Sequence, residues 1–177
     1  MKRMFCNVLL LLGLVSGVIA QDMSPSPEFD KVKWMLGEWT GTMKMSMPGT
    51  PEMEYATTMK SEMDGFFMKF SSDMEVEGMK MTESGYMGWD EKLGKFKAWT
   101  FATFAPTPRI ETATVNGDSV VYVSEPWEVP GMPAATTSRV TVSKDGASGM
   151  KMLLEFREGD GWMKVGEATY TRKTTTR

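Results

Sequence analysis

Methionine is the side chain whose number and spacing in this sequence invite a chemical reading. There are 19 methionines, no histidine and one cysteine. Many recur at every second residue, most sharply in Met43-x-Met45-x-Met47, then in Met79-x-Met81 and Met150-x-Met152. On a β-strand that spacing puts the sulfurs on one side, about 7 Å apart at Cα. Thioethers are soft ligands, and three of them suit Cu(I); Met43, Met45 and Met47 are the residues that would hold it. The same side chain fills irregular gaps in a core and lines surfaces that accept varied apolar guests. After residue 20, leucine and isoleucine are limited to Leu36, Leu93, Ile110, Leu153 and Leu154, so methionine is expected to replace them inside the fold. Exposed thioethers also oxidise readily.

The missing residue types exclude chemistry. Without histidine there is no side chain of ordinary pKa near neutrality to act as general base. A Ser-His-Asp set is ruled out, and so is a histidine-bearing zinc site. Carboxylate pairs such as Glu62 with Asp64, and Asp90 with Glu91, fall at turns and read as solvated. No glycine loop follows a strand and opens a helix in the manner of a phosphate site. The pattern points to binding rather than catalysis, with no cofactor.

The elements that must position these residues begin after an export signal. Lys2 and Arg3 precede an apolar run from Val8 to Val18, too short to cross a bilayer as a helix. Val18-Ile19-Ala20 then offers a cleavage site, giving a signal peptide over 1–20, a short leader over 21–27 and one domain over 28–177. Cleavage removes Cys6 and exports the chain to a periplasmic or extracellular space, where it holds together without disulfides. Without Lys2 and Arg3, 18 basic residues face 23 acidic ones. That balance argues against a nucleic-acid partner, and no later segment predicts a membrane span.

Residues 28–36 predict one short helix: Phe29, Val32 and Leu36 fall at helical spacing, with Ser26 and Pro27 at the cap and first turn. From Glu38 the period becomes two. Ten strands are predicted near 38–47, 53–63, 66–76, 79–89, 95–104, 109–115, 118–125, 136–143, 150–157 and 162–172, separated by turns such as Asp64-Gly65, Asn116-Gly117 and Asp145-Gly146. Ten half-buried strands with hairpin-length connections predict an all-β, antiparallel up-and-down barrel, which leaves no edge. A barrel of that size holds a cavity unless large side chains fill it. The predicted pocket lining is Met43, Met45, Tyr55, Met59, Met68, Phe70, Met81, Glu83 and Met87. Glu83 has the parity of Met81, which points it inward, where it would need a cationic partner or a raised pKa, unless a bulge or frayed register turns it outward. By parity Arg109, Arg139 and Arg157 face solvent. Trp99 and Phe101, with Trp127 and Met132, predict an aromatic surface near the barrel mouth for a protein partner.

The order of short motifs carries a resemblance. Leu36-Gly37-Glu38-Trp39-Thr40-Gly41 joins a helix end to a first strand; Gly88-Trp89-Asp90 precedes Lys95-Phe96 and Trp99; the last strand ends Tyr170-Thr171-Arg172-Lys173. Over the whole mature chain this resembles the secreted bacterial family known as domain of unknown function 1579, with a calycin-like (lipocalin or fatty-acid-binding-protein-like) barrel. Three positions depart from that pattern: Trp89 stands where tyrosine is usual, and Phe101 and Phe104 replace polar residues. The resemblance implies that Arg172 packs over Trp39 to close the barrel floor. It implies no catalytic residue. Nitrobindin-like barrels of similar architecture hold haem through a histidine, which this chain lacks. The leading expectation is a secreted barrel that binds a small hydrophobic or amphipathic ligand, with Cu(I) binding through methionine or a protein-interaction surface as the alternatives; the oligomeric state stays open.

Overall fold

Ten strands in sequence order close on themselves in the computed structural model. It describes residues 24–174 apart from 48, 77, 130, 131 and 133; the expected signal and residues 21–23 lie outside the described set. The strands are β1 (Gly37–Met45), β2 (Met53–Asp64), β3 (Phe67–Val76), β4 (Met79–Asp90), β5 (Lys95–Ala102), β6 (Arg109–Asn116), β7 (Ser119–Ser124), β8 (Ser138–Asp145), β9 (Gly149–Glu158) and β10 (Gly161–Arg172). Each pairs antiparallel with its neighbour, and β1 pairs with β10. The up-and-down barrel expected from the alternation is the fold.

Alternation also sets what each wall faces. On β1 the buried positions are Trp39 and Met43; on β2, Tyr55, Thr57 and Ser61. Cross-strand partners keep the parity around the barrel, through Met43↔Tyr55, Met68↔Met87, Met87↔Ala98, Ala98↔Glu111 and Val142↔Met152. One irregularity breaks it. The register shifts between Lys164 and Gly166 in β10, and Val165 and Gly166 are both buried there. Such a bulge bends the strand and exchanges the faces on either side of it.

The N-terminal segment differs from the single helix expected over 28–36. It forms two 3-10 turns, Pro27–Lys31 and Lys33–Met35, with Ser26 accepting from the Glu28 backbone N–H. The reason is in the burial. Phe29, Val32 and Met35, spaced three apart, are the buried side chains, and a 3-10 helix eclipses residues at that spacing. They plug one end of the barrel against Trp39, Met68, Met87, Phe96 and Tyr170. The Met35 carbonyl accepts from Trp39 Nε1 at 3.0 Å and from Ser61 Oγ at 2.5 Å. No helix among the described residues is long and apolar enough to cross a membrane.

Candidate functional site

The core behind the plug is closely packed. Trp39, Met68, Met87, Phe96, Ala98, Val120 and Met150 are at most 1% exposed. Arg172 lies over Trp39, its guanidinium carbon 4.2 Å from the ring centroid. It donates through Nη1 to the Leu36 carbonyl and through Nη2 to the Trp34 carbonyl at 2.7 Å. Gly37, at φ +123°, makes this possible, because a Cβ there would meet Arg172 Nη1. Tyr122 is buried beside the plug, and among the described residues its hydroxyl has only soft acceptors, Met87 Sδ at 3.5 Å and Met35 Sδ at 3.9 Å. Burial pushes that phenol well above its ordinary pKa.

The opposite end is built differently. The inward row Phe70, Ser72 and Met74 on β3 stands opposite Gly85, Glu83 and Met81 on β4. All but Gly85 remain partly open to solvent, as does Met45; Met59, also partly open, pairs with Trp39 nearer the plug. The half-open stretch is confined to this part of the wall: Ser124, Ser138, Phe156 and Val165, toward the same end on β7 to β10, are buried. Met43 and Tyr55 are buried partners across β1 and β2, and Tyr55 donates to Met53 Sδ at 3.0 Å. Met43 and Met45 belong to the main core cluster, whereas Met47 packs in a second one with Trp127, Phe156 and Val165.

Three charged side chains occupy this interior. Arg109 Nη1 donates to Glu83 Oε1 at 3.0 Å, and Arg109 Nε lies 3.1 Å from Glu111 Oε1. That second contact is an ion pair without an aligned hydrogen bond, since Nε–H finds no acceptor in line. Thr100 donates to the other Glu111 oxygen at 3.0 Å. Side-chain exposure falls from Glu83 at 20% through Arg109 at 12% to Glu111 at 4%. Burial opposes the Arg109 charge, but the two carboxylates more than offset it and hold its pKa above the ordinary value. Burial pushes Glu111 up; attraction to Arg109 and the Thr100 hydrogen bond counter this only in part. Trp127, from the connection between β7 and β8, covers Arg109 at 5.2 Å from its ring centroid. Its indole N–H donates to Ser138 Oγ at 3.3 Å.

Arg109 is therefore a correction to the sequence reading, which faced it to solvent. Its strand alternates Arg109, Glu111, Ala113 and Val115 against Ile110, Thr112 and Thr114. The small Ala113, fully buried, marks the inner face, and Glu111 and Arg109 follow it inward as a neutralising set. Trp127 is a second correction: it is 7% exposed, inside the barrel end rather than on a surface patch. The aromatic surface that does exist runs across the outer wall, where Tyr86 pairs with Trp99 and Trp99 with Ile110. Phe101 beside it is 55% exposed. Arg139 lies on the outer wall, held by Glu155 at 2.6 and 2.8 Å. Asp90 accepts from the Lys92 and Leu93 amides and shapes a turn.

Two cavities flank the plug. A groove of about 1020 Å³ runs between the 3-10 turns and the β4–β5 and β6–β7 hairpin tips, lined by Trp34, Trp89, Lys33 and Lys144 among others. A smaller one of about 360 Å³ lies by Leu36, Met63 and Met68. Of the expected pocket lining, only Met68 borders either of them. Among the described residues no cluster of three carboxylate, histidine or cysteine side chains could hold a metal.

Fold and interior together define a closed ten-stranded antiparallel barrel, plugged at one end and charged and methionine-lined at the other. No protein-family model and no curated protein matches the chain. Among solved structures it is similar to Rv2717c from M. tuberculosis, with a TM-score of 0.64 at 16% sequence identity, over 85% of this chain and 100% of that one. At that identity the likeness carries the fold alone.

Proposed function

We propose that this chain is a secreted, calycin-like barrel of the domain of unknown function 1579 kind. It takes a small hydrophobic or amphipathic ligand into its unplugged end without a chemical step. The observation that supports this most is the half-wet inner patch of Phe70, Met74, Met81 and Glu83. An interior built only for stability would bury such side chains fully, since each buried large apolar group stabilises by about 1.5–3 kcal/mol. Methionine suits a guest of loosely specified shape because its thioether and three rotatable bonds adapt to different outlines. Three inward charges give a fixed polar contact beside that pliable wall, the usual composition of a small-molecule site.

Two measurements test the reading. Native mass spectrometry of the exported protein, purified without denaturant, should show a retained small molecule that organic solvent releases. Dilute peroxide should oxidise Met45, Met74 and Met81 well before Met68, Met87 and Met150, and a bound guest should slow the first group only. A bare mass, together with no protection by any apolar additive, would remove the basis for a carrier.

A further inference from the structure

The charges at the unplugged end select among amphiphiles, and this inference rests on the carrier reading above. Glu83, Arg109 and Glu111 comprise two carboxylates on one guanidinium, so the set carries one net negative charge when both acids are ionised. Glu111 has both oxygens engaged, one on Arg109 and one on the Thr100 hydroxyl. Glu83 commits only Oε1 to a hydrogen bond, and among the described residues nothing donates to Oε2. Glu83 is also the most solvent-reached of the three. It stands opposite Ser72, and Met81, two residues along the same strand, stands opposite Met74. One uncommitted carboxylate oxygen therefore borders the half-wet methionine patch, while Glu111 and the ring of Trp127 engage other parts of Arg109.

We infer that the barrel takes a cationic amphiphile, an alkyl or aryl amine, with its ammonium on Glu83 and its apolar body along Phe70, Met74 and Met81. A carboxylate head group meets net like charge at reduced dielectric, where such repulsion is strong. An ammonium meets an acceptor that the protein leaves unpaired, and the soft sulfurs around it present lone pairs and no competing donor. Bracing of β4 to β6 does not need the free oxygen. The neutral Glu83→Gln substitution keeps one oxygen to accept from Arg109 Nη1 and replaces the free carboxylate oxygen with an amide NH2 group.

The mature full-length chain is titrated calorimetrically with dodecylammonium, dodecanol and dodecanoate, each below its micelle concentration. Dodecylammonium should bind at least tenfold more tightly than dodecanoate. In Glu83→Gln that ratio should fall toward one. Equal or tighter binding of dodecanoate overturns the head-group assignment and leaves the carrier reading standing. A preference for the amine that survives in Glu83→Gln overturns it too, since the cation then sits elsewhere on an acidic protein. Binding of none of the three removes the carrier reading and this inference with it. The wild-type titrations decide the sign of the preference even if the variant fails to fold.

Discussion

At the plugged end Arg172 lies over Trp39 and donates to the carbonyls of Leu36 and Trp34; at the far end Arg109 lies over Trp127 and is held between Glu83 and Glu111. The same pair of residue types does two kinds of work. Carbonyl partners are neutral and belong to the backbone of the plug, so Arg172 ties one chain segment to another. Carboxylate partners are themselves ionisable and one of them reaches solvent, so Arg109 organises a charge pattern on the inner wall. The first arrangement closes an end. The second leaves an end with chemical character, beside the partly open Met74 and Met81.

The comparison predicts unequal costs. Arg109→Met strands two inward carboxylates without their cation, and breaking a buried charge set in this way costs about 3–5 kcal/mol. Urea unfolding should show it, and a loss under 1 kcal/mol would mean that the two acids are neutralised by other means. Arg172→Met removes two charge-assisted hydrogen bonds and a ring contact; about 2 kcal/mol is expected. Its distinctive sign is local. Acrylamide should quench Trp39 more readily when the plug loosens, whereas Arg109→Met should leave that quenching near wild type.

The smallest effect is on pH dependence. Folded Glu111 binds its proton more tightly than the unfolded residue, whose ordinary value is 4.5. Its contribution to stability is therefore fully present below that value and is lost as pH rises through the raised folded one. Glu111→Gln should flatten the stability profile over that window and change little below it. The plugged end, with carbonyl acceptors, should give Arg172→Met a profile parallel to wild type. A Glu111→Gln profile as steep as wild type would show that Glu111 does not titrate between the two states.

Much of this was legible in the residues. The alternation of Trp39, Met43 and Met45 against Thr40, Thr42 and Lys44 gave the first wall, and the glycine turns gave antiparallel order. Glu83 shared parity with Met81 and so belonged inside. Arg109 was not legible in the same way. Its strand presents Ile110 on one face and Ala113 and Val115 on the other, so alternation finds two faces without saying which is inner. The period of three in Phe29, Val32 and Met35 was present as well, but near a helical cap it reads equally as an α-helix. Trp127 lies in a connection, where no period exists to place it.

The sequence by itself determined a barrel of ten strands, a methionine-rich interior and the absence of histidine and disulfide chemistry. These follow from local rules: side chains alternate along a strand, turns need particular residues, and missing side chains cannot act. Only the tertiary structure decided which end is sealed, and which charges meet inside. Arg109 and Glu111 sit two residues apart on β6 and Glu83 sits on β4, so the pairing of both strands with β5 sets their separation. A one-residue change of register would send each of them to the opposite wall.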